Sequence, residues 1–480
     1  MLPVNREREN ENMKYLEALR QKKAAGVIPV IPDIKCFSPK EGDLMRGRDP
    51  VAFAISMEKA GAPALSVVTQ EKDFRGSMEL LRRICEKVRV PILRKDFVQD
   101  AADLAATKEA GASAILLMYS CLGKEKLKAL FEEALRIGLT PFVETHSREE
   151  LSWAGELGAS LVGINNRDIL RLERDDGNVS HAASLLKYAP EDAFVVVESG
   201  LSGGRDVRRA IRSGADAVLV GTAVLKAVDE ETMLHAMMRP CALKVCGLMD
   251  PEGTGFCLTQ QVDMLGFVTE YPVSVPWNLR REETKNLLEE VKADSVSSGI
   301  QTCVVTGGAP EQVVALAKEL GPDYVQLHYT ESLEELAIIA DRLHESGIRV
   351  VRSISFDPAL RRKMFGTAAL EEVFRKIRLA GADAGLLDSR DAQNASFGGG
   401  SILSDEETKG DMGIPFFIGG GITGDNALEV YRRFRPDLID VMTGVETAPG
   451  RKDRSLIKRL TDVLAGVEFE TGESVRYTGI

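Results

Sequence analysis

The chain has 480 residues, roughly three times the ~150 residues of a typical domain, so two large domains are the first expectation. Hydrophobic residues make up 44% and charged residues 28% of the chain, which excludes a disordered or fibrous protein. Lys and Arg total 61 against 73 Asp and Glu, and the net charge of −12 argues against nucleic acid or an anionic membrane as the main partner.

The N-terminus is charged from Arg6 onward and lacks the apolar core of a signal peptide, and no segment is apolar for the ~18 residues that a membrane span needs. Seven cysteines without a CxxC pair indicate neither a disulfide framework nor a zinc knuckle. The five histidines have no metal-ligand spacing. We therefore expect a cytoplasmic protein, a monomer, that uses no metal or cofactor and binds neither nucleic acid nor membrane.

Short apolar, β-branched runs alternate with amphipathic helical stretches in the first half of the chain, which is typical of parallel βαβ units. Eight such units in about 230 residues predict a (β/α)8 barrel, and no GxGxxG turn follows the first run as an open Rossmann sheet would require. The eight runs are 28–34, 64–68, 91–95, 114–119, 141–145, 161–165, 194–199 and 217–221.

The same alternation starts again in the second half. The fold class that we predict is therefore α/β, with two consecutive (β/α)8 TIM barrels, the first in residues 1–228 and the second in 243–480, joined by a connector at 229–242. The runs of the second half are 243–247, 264–270, 302–307, 324–328, 349–355, 384–389, 415–421 and 438–444.

Ligands bind at the carboxyl ends of the strands in such barrels, so the polar residues that end each run are the candidate site. A single polar strand end, such as Thr69 or Tyr119, is explained by the solvation of loops. Several charges at one barrel mouth must instead pair with one another or meet a ligand. We therefore predict an anion-binding and acid/base site formed by Lys35, Lys95, Glu144 and Arg167.

Loops after strands 7 and 8 of these barrels often hold a phosphate on backbone N–H groups. The segments SGLSGG (199–204) and GTA (221–223) supply small residues at both loops of the first barrel. They predict a phosphate site there.

The first half resembles the indole-3-glycerol phosphate synthase family over residues of about 15–227. The motifs that carry the resemblance stand at strand ends and read PDIKCFSPKEG (32–42), RKDF (94–97), VETH (143–146), GINNRD (163–168) and VVESGLS (196–202). The resemblance implies that this barrel closes the indole ring of carboxyphenylamino-deoxyribulose phosphate with loss of carbon dioxide and water.

Matched motif by motif, the resemblance makes Lys95 the general acid that protonates the ketone and Glu144 the base for the dehydration. It places Lys35, Asn165 and Arg167 at the anthranilate carboxylate. Its phosphate-binding residues are Ser38, Ser199, Gly200, Gly221 and Thr222.

Three further expectations concern the same site. Asp33 stands where the family usually has Glu, and it is one methylene shorter. We expect nearby cations and partial burial to lower the pKa of Lys95, so that it donates a proton near neutral pH. The rings of Phe74 and Phe97 are candidates for an apolar wall against the aromatic substrate, although a Phe is as often simply part of the core.

In the second half, Cys246 ends the first run and Asp388 ends the sixth. A buried Cys is more often an inert small hydrophobe than a nucleophile. A thiolate base and a carboxylic acid that face one ligand are nonetheless what an aldose-to-ketose rearrangement needs. Gly-rich loops at 419–426 and 443–453 follow strands 7 and 8, where a phosphate is expected.

These residues resemble phosphoribosylanthranilate isomerase, over residues of about 243–465. The motifs are KVCG (244–247), VQLH (325–328), LLDS (386–389), GGGITGDN (419–426) and DVMTGVETAPGRKD (440–453). The resemblance implies that Cys246 is the general base and Asp388 the general acid. The residues that it implies for substrate binding are His328, Gly420, Gly421, Thr443 and Gly444.

This half departs from the family pattern in three places. Only Arg280 or Arg281 lies near the turn that usually carries the Arg for the anthranilate carboxylate. Tyr329 replaces a Gly, and FGGGSI (397–402) replaces a Gly-Gly-Thr-Gly loop inside a polar segment, 389–410, that is a candidate flap.

The sequence thus predicts a bifunctional tryptophan-biosynthesis enzyme that acts on phosphorylated anthranilate derivatives. One alternative is a synthase whose second barrel is degenerate or altered. Another is a second barrel that only binds a phosphorylated ligand or a partner. The Cys246 and Asp388 pair favours catalysis, because a binding module has no need of a facing base and acid.

Overall fold

The computed structural model describes residues 15–167, 180–294, 299–328, 331–389 and 412–467. The chain divides into two compact units, of which the first extends to Pro240 and the second comprises Cys241–Leu464. Tyr329, the FGGGSI loop and nearly all of the candidate flap lie outside the described residues. Within the described residues, none of the helices combines the length and the apolar composition that crossing a bilayer requires.

Eight parallel strands of the first unit close into a barrel, in which β1 pairs with β4, the next strand of the barrel, and with β10, the last. A two-stranded antiparallel hairpin, β2 and β3, follows the first barrel strand. The strands are β1 (Val30–Ile34), β2 (Phe37–Ser38), β3 (Gly42–Asp43), β4 (Leu65–Val68), β5 (Ile92–Lys95), β6 (Ala114–Met118), β7 (Thr140–Thr145), β8 (Leu161–Asn165), β9 (Phe194–Glu198) and β10 (Ala217–Val220).

Helices surround this barrel, and several begin at a side chain that accepts a hydrogen bond from a first-turn N–H, as Asp49, Ser77 and Ser147 do. The helices are α1 (Tyr15–Ala24), α2 (Pro50–Lys59), α3 (Glu71–Phe74), α4 (Met78–Cys85), α5 (Ala101–Glu109), α6 (Tyr119–Arg136), α7 (Arg148–Glu156), α8 (Ser180–Leu185), α9 (Gly204–Arg212), α10 (Thr222–Lys226) and α11 (Glu230–Met238).

The segment predicted as a connector contains α11, which begins at the N-cap Asp229. This helix packs within the first unit. The Nε2 atom of its His235 lies 3.1 Å from the carbonyl oxygen of Ala60. The compact unit accordingly includes the helix and ends at Pro240.

The second unit repeats the architecture, with eight parallel strands closed by the pairing of β11 with β18. A short antiparallel hairpin, β19 and β20, follows the last barrel strand. The strands are β11 (Ala242–Val245), β12 (Met264–Val268), β13 (Gln301–Thr306), β14 (Tyr324–Leu327), β15 (Arg349–Ser355), β16 (Ala384–Asp388), β17 (Phe416–Gly419), β18 (Leu438–Val441), β19 (Glu446–Ala448) and β20 (Arg451–Lys452).

The prediction of two consecutive (β/α)8 barrels is therefore confirmed. The helices of the second barrel are α12 (Pro251–Thr259), α13 (Arg281–Ala293), α14 (Pro310–Leu320), α15 (Leu333–His344), α16 (Pro358–Phe365), α17 (Leu370–Leu379), α18 (Ala427–Phe434) and α19 (Arg454–Leu464).

The largest apolar core of the second unit lies between the strands and the surrounding helices. Phe374 of α17 is fully buried there, and its ring meets that of Phe416 edge to face with centroids 5.8 Å apart. It packs so closely over β16 that a Cβ on Gly385 would lie 2.5 Å from its ring. Helix and strand are thus joined by one aromatic side chain.

Truncation of this side chain tests the packing. Phe374→Ala should lower the free energy of unfolding by about 3–5 kcal/mol, because the surrounding core cannot fully collapse into the space left behind. Leu379→Ala, on the same helix but 70% exposed, is the matched control and should cost well under 1 kcal/mol. Chemical denaturation of the two variants measures the difference, and equal effects would contradict the described packing.

Candidate active sites

A cavity of about 300 Å³ opens at the carboxyl ends of the first barrel's strands. It is lined by all the residues that the sequence assigned to this site, with the exception of Ser38: Asp33, Lys35, Lys95, Glu144, Asn165, Arg167, Ser199, Gly200, Gly221 and Thr222. Closure of the barrel therefore brings together side chains that lie up to 189 positions apart, since Asp33 and Thr222 differ by 222 − 33.

Ser38 is fully buried in the hairpin that follows β1, where its Oγ accepts the backbone N–H of Lys40 at 3.3 Å and of Glu41 at 3.4 Å. It does not line the cavity. Serine hydroxyl groups in turns often accept nearby backbone N–H groups, and the phosphate contact of Ser38 stays a prediction.

Lys95 ends β5 and forms an ion pair with Glu198, whose Oε2 lies 2.6 Å from the lysine Nζ. The Glu198 side chain is fully buried at the end of β9. The strand predicted from sequence ends at the next residue, Ser199, and Glu198 was not among the predicted site residues. In the sequence, Glu198 is the single charged residue of the apolar run FVVVE. A carboxylate in a strand that is buried on both faces must find a partner, so this residue could have been predicted to form an ion pair.

The expected lowering of the pKa of Lys95 is wrong. Burial by itself lowers this pKa, but the carboxylates of Glu198, Asp33 and Glu144 more than offset that effect and raise it above its ordinary value. The prediction from sequence considered the effect of neighbouring cations on this pKa and did not consider the three carboxylates. Lys95 is therefore a firmly protonated ammonium at neutral pH in the ligand-free site.

Two carboxyl groups next to Lys95 have raised pKa values. Burial raises the pKa of Glu198 to about 7, against the opposing effect of Lys95. Burial also raises the pKa of Glu144, while Lys95 and the Asn165 side chain counteract it. Glu144 and Glu198 interact with each other and with the same ammonium, so protonation of one affects protonation of the other.

The short side chain of Asp33 finds a partner within the barrel. Its Oδ1 accepts the hydroxyl of Ser66 at 2.7 Å, and the side chain lies against Gly221, where an added Cβ would sit 3.4 Å from the Asp33 Cβ. Lys35 is buried with its Nζ 5.8 Å from the ring centroid of Phe74. Both Phe74 and Phe97 line the cavity, as expected of an apolar wall.

The loop after β9 has the geometry of an anion site. Ser199 and Gly200 both take left-handed backbone conformations, with φ of 68° and 73°, which is unusual for a serine. The two following helices, α9 and α10, have glycine at the N-cap, and glycine brings no side-chain acceptor to the first-turn N–H groups. These donors are thus available to a phosphate.

Lys226 also lines this cavity and was missed by the sequence analysis. It ends α10, and its Nζ lies 2.7 Å from a carboxylate oxygen of Glu41. A lysine at the end of a short helix is indistinguishable in sequence from a solvated one, so no sequence signal marked it.

A second, smaller cavity of about 80 Å³ lies at the carboxyl ends of the second barrel's strands. All the residues predicted for this barrel line it: Cys246, His328, Asp388, Gly420, Gly421, Thr443 and Gly444. The candidate base on β11 and the candidate acid on β16 therefore face the same space.

Cys246 is buried directly after β11, and burial raises the pKa of its thiol. Lys244 and Lys452 oppose this rise, whereas Asp440 adds to it. Lys244 precedes Cys246 by two residues, so both side chains lie on the inner face of the barrel. The two lysines thus only partly offset the effect of burial, and the pKa of the thiol stays above its ordinary value in the ligand-free site.

Lys244 belongs to a buried network that the sequence analysis missed. Its Nζ donates to Asp440 Oδ2 at 2.8 Å and to Gln326 Oε1 at 2.6 Å. The three residues come from β11, β18 and β14, and they line or underlie the cavity. In the sequence, this network was indicated by the single lysine in the apolar run ALKV.

Asp388 ends β16 with its side chain about 13% exposed, and its Oδ2 lies 3.2 Å from Nε2 of His328 at the end of β14. His328 is in turn fixed through its backbone, because its carbonyl oxygen accepts the hydroxyl of Tyr271 at 2.9 Å. This arrangement orients the carboxyl group of Asp388 toward the cavity.

Glycine is required where the two loops of this site approach each other. A Cβ on Gly444 would lie 1.9 Å from the carbonyl oxygen of Ile422, and one on Gly420 would lie 2.0 Å from Oγ of Ser389. The backbone of both loops can therefore come close to a small anion.

Neither arginine near the second strand reaches this cavity. Arg280 is 84% exposed and pairs with Glu283, and Arg281 pairs with Glu270 and Glu319. The loop instead contributes Tyr271, Val275 and Trp277 to the cavity. Of the two arginines left open by the sequence, neither lines this cavity.

All seven cysteines are free thiols. Within the described residues, no group of three or more His, Cys, Asp or Glu is arranged to hold a metal ion.

Two (β/α)8 barrels, each with an acid, a base and glycine-rich loops at its mouth, define a two-domain barrel enzyme for phosphorylated substrates. Residues 2–237 match the family profile described as indole-3-glycerol phosphate synthase, and residues 243–463 match that of N-(5′-phosphoribosyl)anthranilate (PRA) isomerase. The chain belongs to the indole-3-glycerol phosphate synthase family and carries a PRA isomerase domain in its second half. It is a bifunctional enzyme of tryptophan biosynthesis.

Curated relatives match the first half. The indole-3-glycerol phosphate synthase of Thermococcus kodakarensis is 44% identical over 209 residues, which are 44% of this chain and 91% of that protein. The enzyme of the same name from Geobacillus thermodenitrificans is 36% identical over 230 residues, which are 48% of this chain and 87% of that protein.

Among solved structures, phosphoribosyl anthranilate isomerase from Thermotoga maritima covers 47% of this chain and 99% of its own, with 23% identity and a TM-score of 0.39. TrpF from Jonesia denitrificans covers 47% of this chain and 98% of its own, with 27% identity and a TM-score of 0.36.

The close approach at Gly444 generates a test. Gly444→Ala should lower isomerase turnover by about a hundredfold, because the added methyl group must displace one of the two loops by an ångström or more. Gly255→Ala, in α12 of the same barrel where a Cβ meets nothing within 4 Å, is the control and should keep full activity. Equal isomerase rates for the two variants would show that this approach is not needed for catalysis.

The coupled pair at Lys95 predicts a pH dependence of the synthase. Glu198, with its pKa raised to about 7, is ionised above that pH and protonated below it, so the pair with Lys95 is lost as the pH falls. The value of kcat/KM should therefore drop on an acid limb near pH 7.

Glu198→Gln checks the assignment of this limb. The variant should be less active at pH 8, and its limb should move to lower pH because Glu144 no longer feels the charge of Glu198. A limb that stays near pH 7 in this variant would assign the titration to another group. Thermal unfolding at both pH values shows that the fold is kept.

Proposed function

We propose that the two barrels catalyse consecutive steps, with the second barrel forming the ketose that the first barrel cyclises. The observation that carries this proposal is the same in both cavities: an acid and a base from different strands face one space beside glycine-rich loops. A rearrangement followed by a decarboxylative ring closure needs such pairs and consumes no external oxidant or reductant.

In the second barrel, Asp388 donates a proton to the furanose ring oxygen, the bond from that oxygen to the anomeric carbon breaks, and the nitrogen lone pair forms an iminium. Cys246, as the thiolate, then removes the proton from the neighbouring carbon, and the electron pair moves to the iminium nitrogen. The resulting enolamine becomes the ketose by tautomerisation. Atoms and electrons balance, because the product is an isomer of the substrate.

Lys244 supports this role of Cys246 without touching the substrate. Its ammonium lies on the same inner face of β11 and favours the thiolate, while Asp440 and Gln326 hold it in place. His328 orients the acid in a similar way from the opposite wall.

In the first barrel, Lys95 protonates the ketone oxygen as the aromatic ring carbon attacks the ketone carbon. Carbon dioxide then leaves from the attacking ring carbon, and its bonding electrons restore the aromatic ring. Glu144 removes a proton from the methylene carbon next to the nitrogen and passes it to the new hydroxyl group, which leaves as water as the double bond of the indole forms. Glu198 holds the ammonium of Lys95 at 2.6 Å, which supports a fixed donor position. Asp33, through its contact with Ser66, adds a third carboxylate that keeps Lys95 charged.

The remaining residues bind the two anionic ends of the substrate. Lys35, Asn165 and Arg167 take the ring carboxylate, and the Phe74 and Phe97 rings cover the aromatic face. The backbone at Ser199 and Gly200, with Gly221 and Thr222, takes the phosphate in the first barrel. Gly420, Gly421, Thr443 and Gly444 do so in the second barrel.

We further propose that the chain acts as a cytoplasmic monomer on these small molecules and binds neither nucleic acid nor membrane. The acidic net charge of −12 and seven free thiols support this environment. Light scattering of the purified protein should give the mass of one chain.

Replacement of the proposed acid separates the two activities. Lys95→Met should abolish the formation of indole-glycerol phosphate while the isomerase step continues, because only the first cavity loses its proton donor. Lys87→Met, at an exposed position of the same barrel, should leave both rates unchanged. Synthase turnover that survives in Lys95→Met would overturn the assignment.

Replacement of the proposed base tests the second barrel. Cys246→Ala should stop conversion of phosphoribosylanthranilate to the ketose and leave the synthase rate intact. Cys257→Ala is the matched control, because this cysteine is equally buried in α12 and does not line the cavity. Loss of activity in both variants would indicate a packing effect, and absence of turnover in the wild type would favour a second barrel that only binds its ligand.

A further inference from the structure

Tyr15, the first residue of α1, is fully buried at the amino ends of the first barrel's strands. It belongs to the same apolar cluster as Ala114, Leu161 and Ala217, which are the first residues of β6, β8 and β10. The helix thus inserts an aromatic ring into the barrel from the end opposite to the cavity. Two of these three strand residues are alanines, whose small side chains leave room for the ring.

The cluster around Tyr15 extends to the layer directly beneath the active site. Four of its apolar side chains each stand two residues before a charged residue at the end of the same strand. The four pairs are Ile31 and Asp33, Leu93 and Lys95, Phe142 and Glu144, and Val196 and Glu198. Residues two apart on a strand point to the same face of the sheet. Tyr15 therefore packs with the side chains on which the charged groups of the site rest.

Two polar atoms of this region lack a protein partner. The hydroxyl of Tyr15 and Oε1 of Glu198 are both buried, and neither forms a hydrogen bond within the described residues. The other oxygen of Glu198, Oε2, pairs with Lys95. Oε1 lies over Gly163, where a Cβ would sit 2.3 Å from this oxygen and 2.9 Å from the ring of Phe142. The free oxygen thus points into the barrel, beside a ring of the cluster that contains Tyr15.

Both atoms need a partner, because a buried polar group without a hydrogen bond costs free energy. Internal water molecules commonly bridge such groups. Burial raises the pKa of the Tyr15 phenol, and the charges of Glu198 and Asp33 raise it further. The hydroxyl therefore keeps its proton near these carboxylates and is available as a donor.

We propose that Tyr15 is a positioning residue of the synthase, whose hydroxyl donates to Oε1 of Glu198 through one internal water molecule. Glu198 is faced by one cation, Lys95, and by two carboxylates, Glu144 and Asp33. The two carboxylates disfavour its ionised form, whereas a neutral donor stabilises that form without adding a charge. Tyr15 thereby supports the ion pair that holds the ammonium of Lys95, and it does not touch the substrate. The inference rests on the proposed synthase function and adds to it a support from the opposite end of the barrel.

The test is the pH dependence of kcat/KM for the synthase reaction of the full chain. Tyr15→Phe keeps the ring and removes the hydroxyl, so Glu198 becomes easier to protonate. The acid limb should move to higher pH by about half a unit to one unit, which lowers kcat/KM near pH 6 by about three- to tenfold. At about pH 9, where Glu198 is ionised in both proteins, the two rates should be equal.

Two control variants accompany this measurement. Tyr188→Phe removes a hydroxyl from the surface of the same barrel and should leave the pH profile unchanged. The double variant that combines Tyr15→Phe with Glu198→Gln should show the same limb as Glu198→Gln alone, because Tyr15 acts only through that carboxylate. The isomerase rate, measured on every variant, should stay constant, since the second barrel is not altered.

Each result decides the matter. A limb in Tyr15→Phe that coincides with that of the wild type overturns the inference, and so does an equal displacement in the presence and absence of Glu198. A loss of rate by the same factor at every pH indicates a purely structural role and overturns it as well. Absence of synthase turnover in the wild type would overturn the proposed function together with this inference, whereas normal wild-type turnover with an unmoved limb overturns the inference alone.

Discussion

Closure of eight parallel strands into a barrel is the constraint on which both sites depend. Strands buried on both faces have apolar interiors, so the polar side chains of each barrel collect where the strands end. Because all the strands of a barrel run in the same direction, these ends form one ring. Lys95 and Glu198, which are 103 positions apart in the chain, become partners at 2.6 Å for this reason.

Each barrel also keeps a buried lysine paired with a carboxylate from another strand. Lys95 pairs with Glu198 in the first barrel, and Lys244 pairs with Asp440 in the second. A buried ammonium is costly unless it is paired, but once paired it sets the protonation of its neighbours. In the first barrel the lysine is the proposed proton donor itself. In the second, Lys244 partly offsets the rise that burial causes in the pKa of the Cys246 thiol.

Most of the candidate site was predictable from sequence because strand-end residues are recognisable one at a time. The misses share a physical cause, since they depend on partners from other strands. Glu198 was passed over for the more exposed Ser199, and the pKa of Lys95 was predicted to fall because its three carboxylate neighbours come from distant segments. Ser38 was assigned by motif to the phosphate, and that assignment stays a prediction, since the structure shows only that its hydroxyl accepts two backbone N–H groups of the hairpin.

The sequence by itself determined the number of barrels, their strands and the polar residue at nearly every strand end, because these follow from local periodicity and from the direction of parallel strands. Tertiary structure alone decided which charges pair, which protonation states result, and that Trp277 rather than Arg280 or Arg281 faces the second cavity. The physical reason is that pairing and burial depend on distances between segments, and a linear pattern contains no such distances.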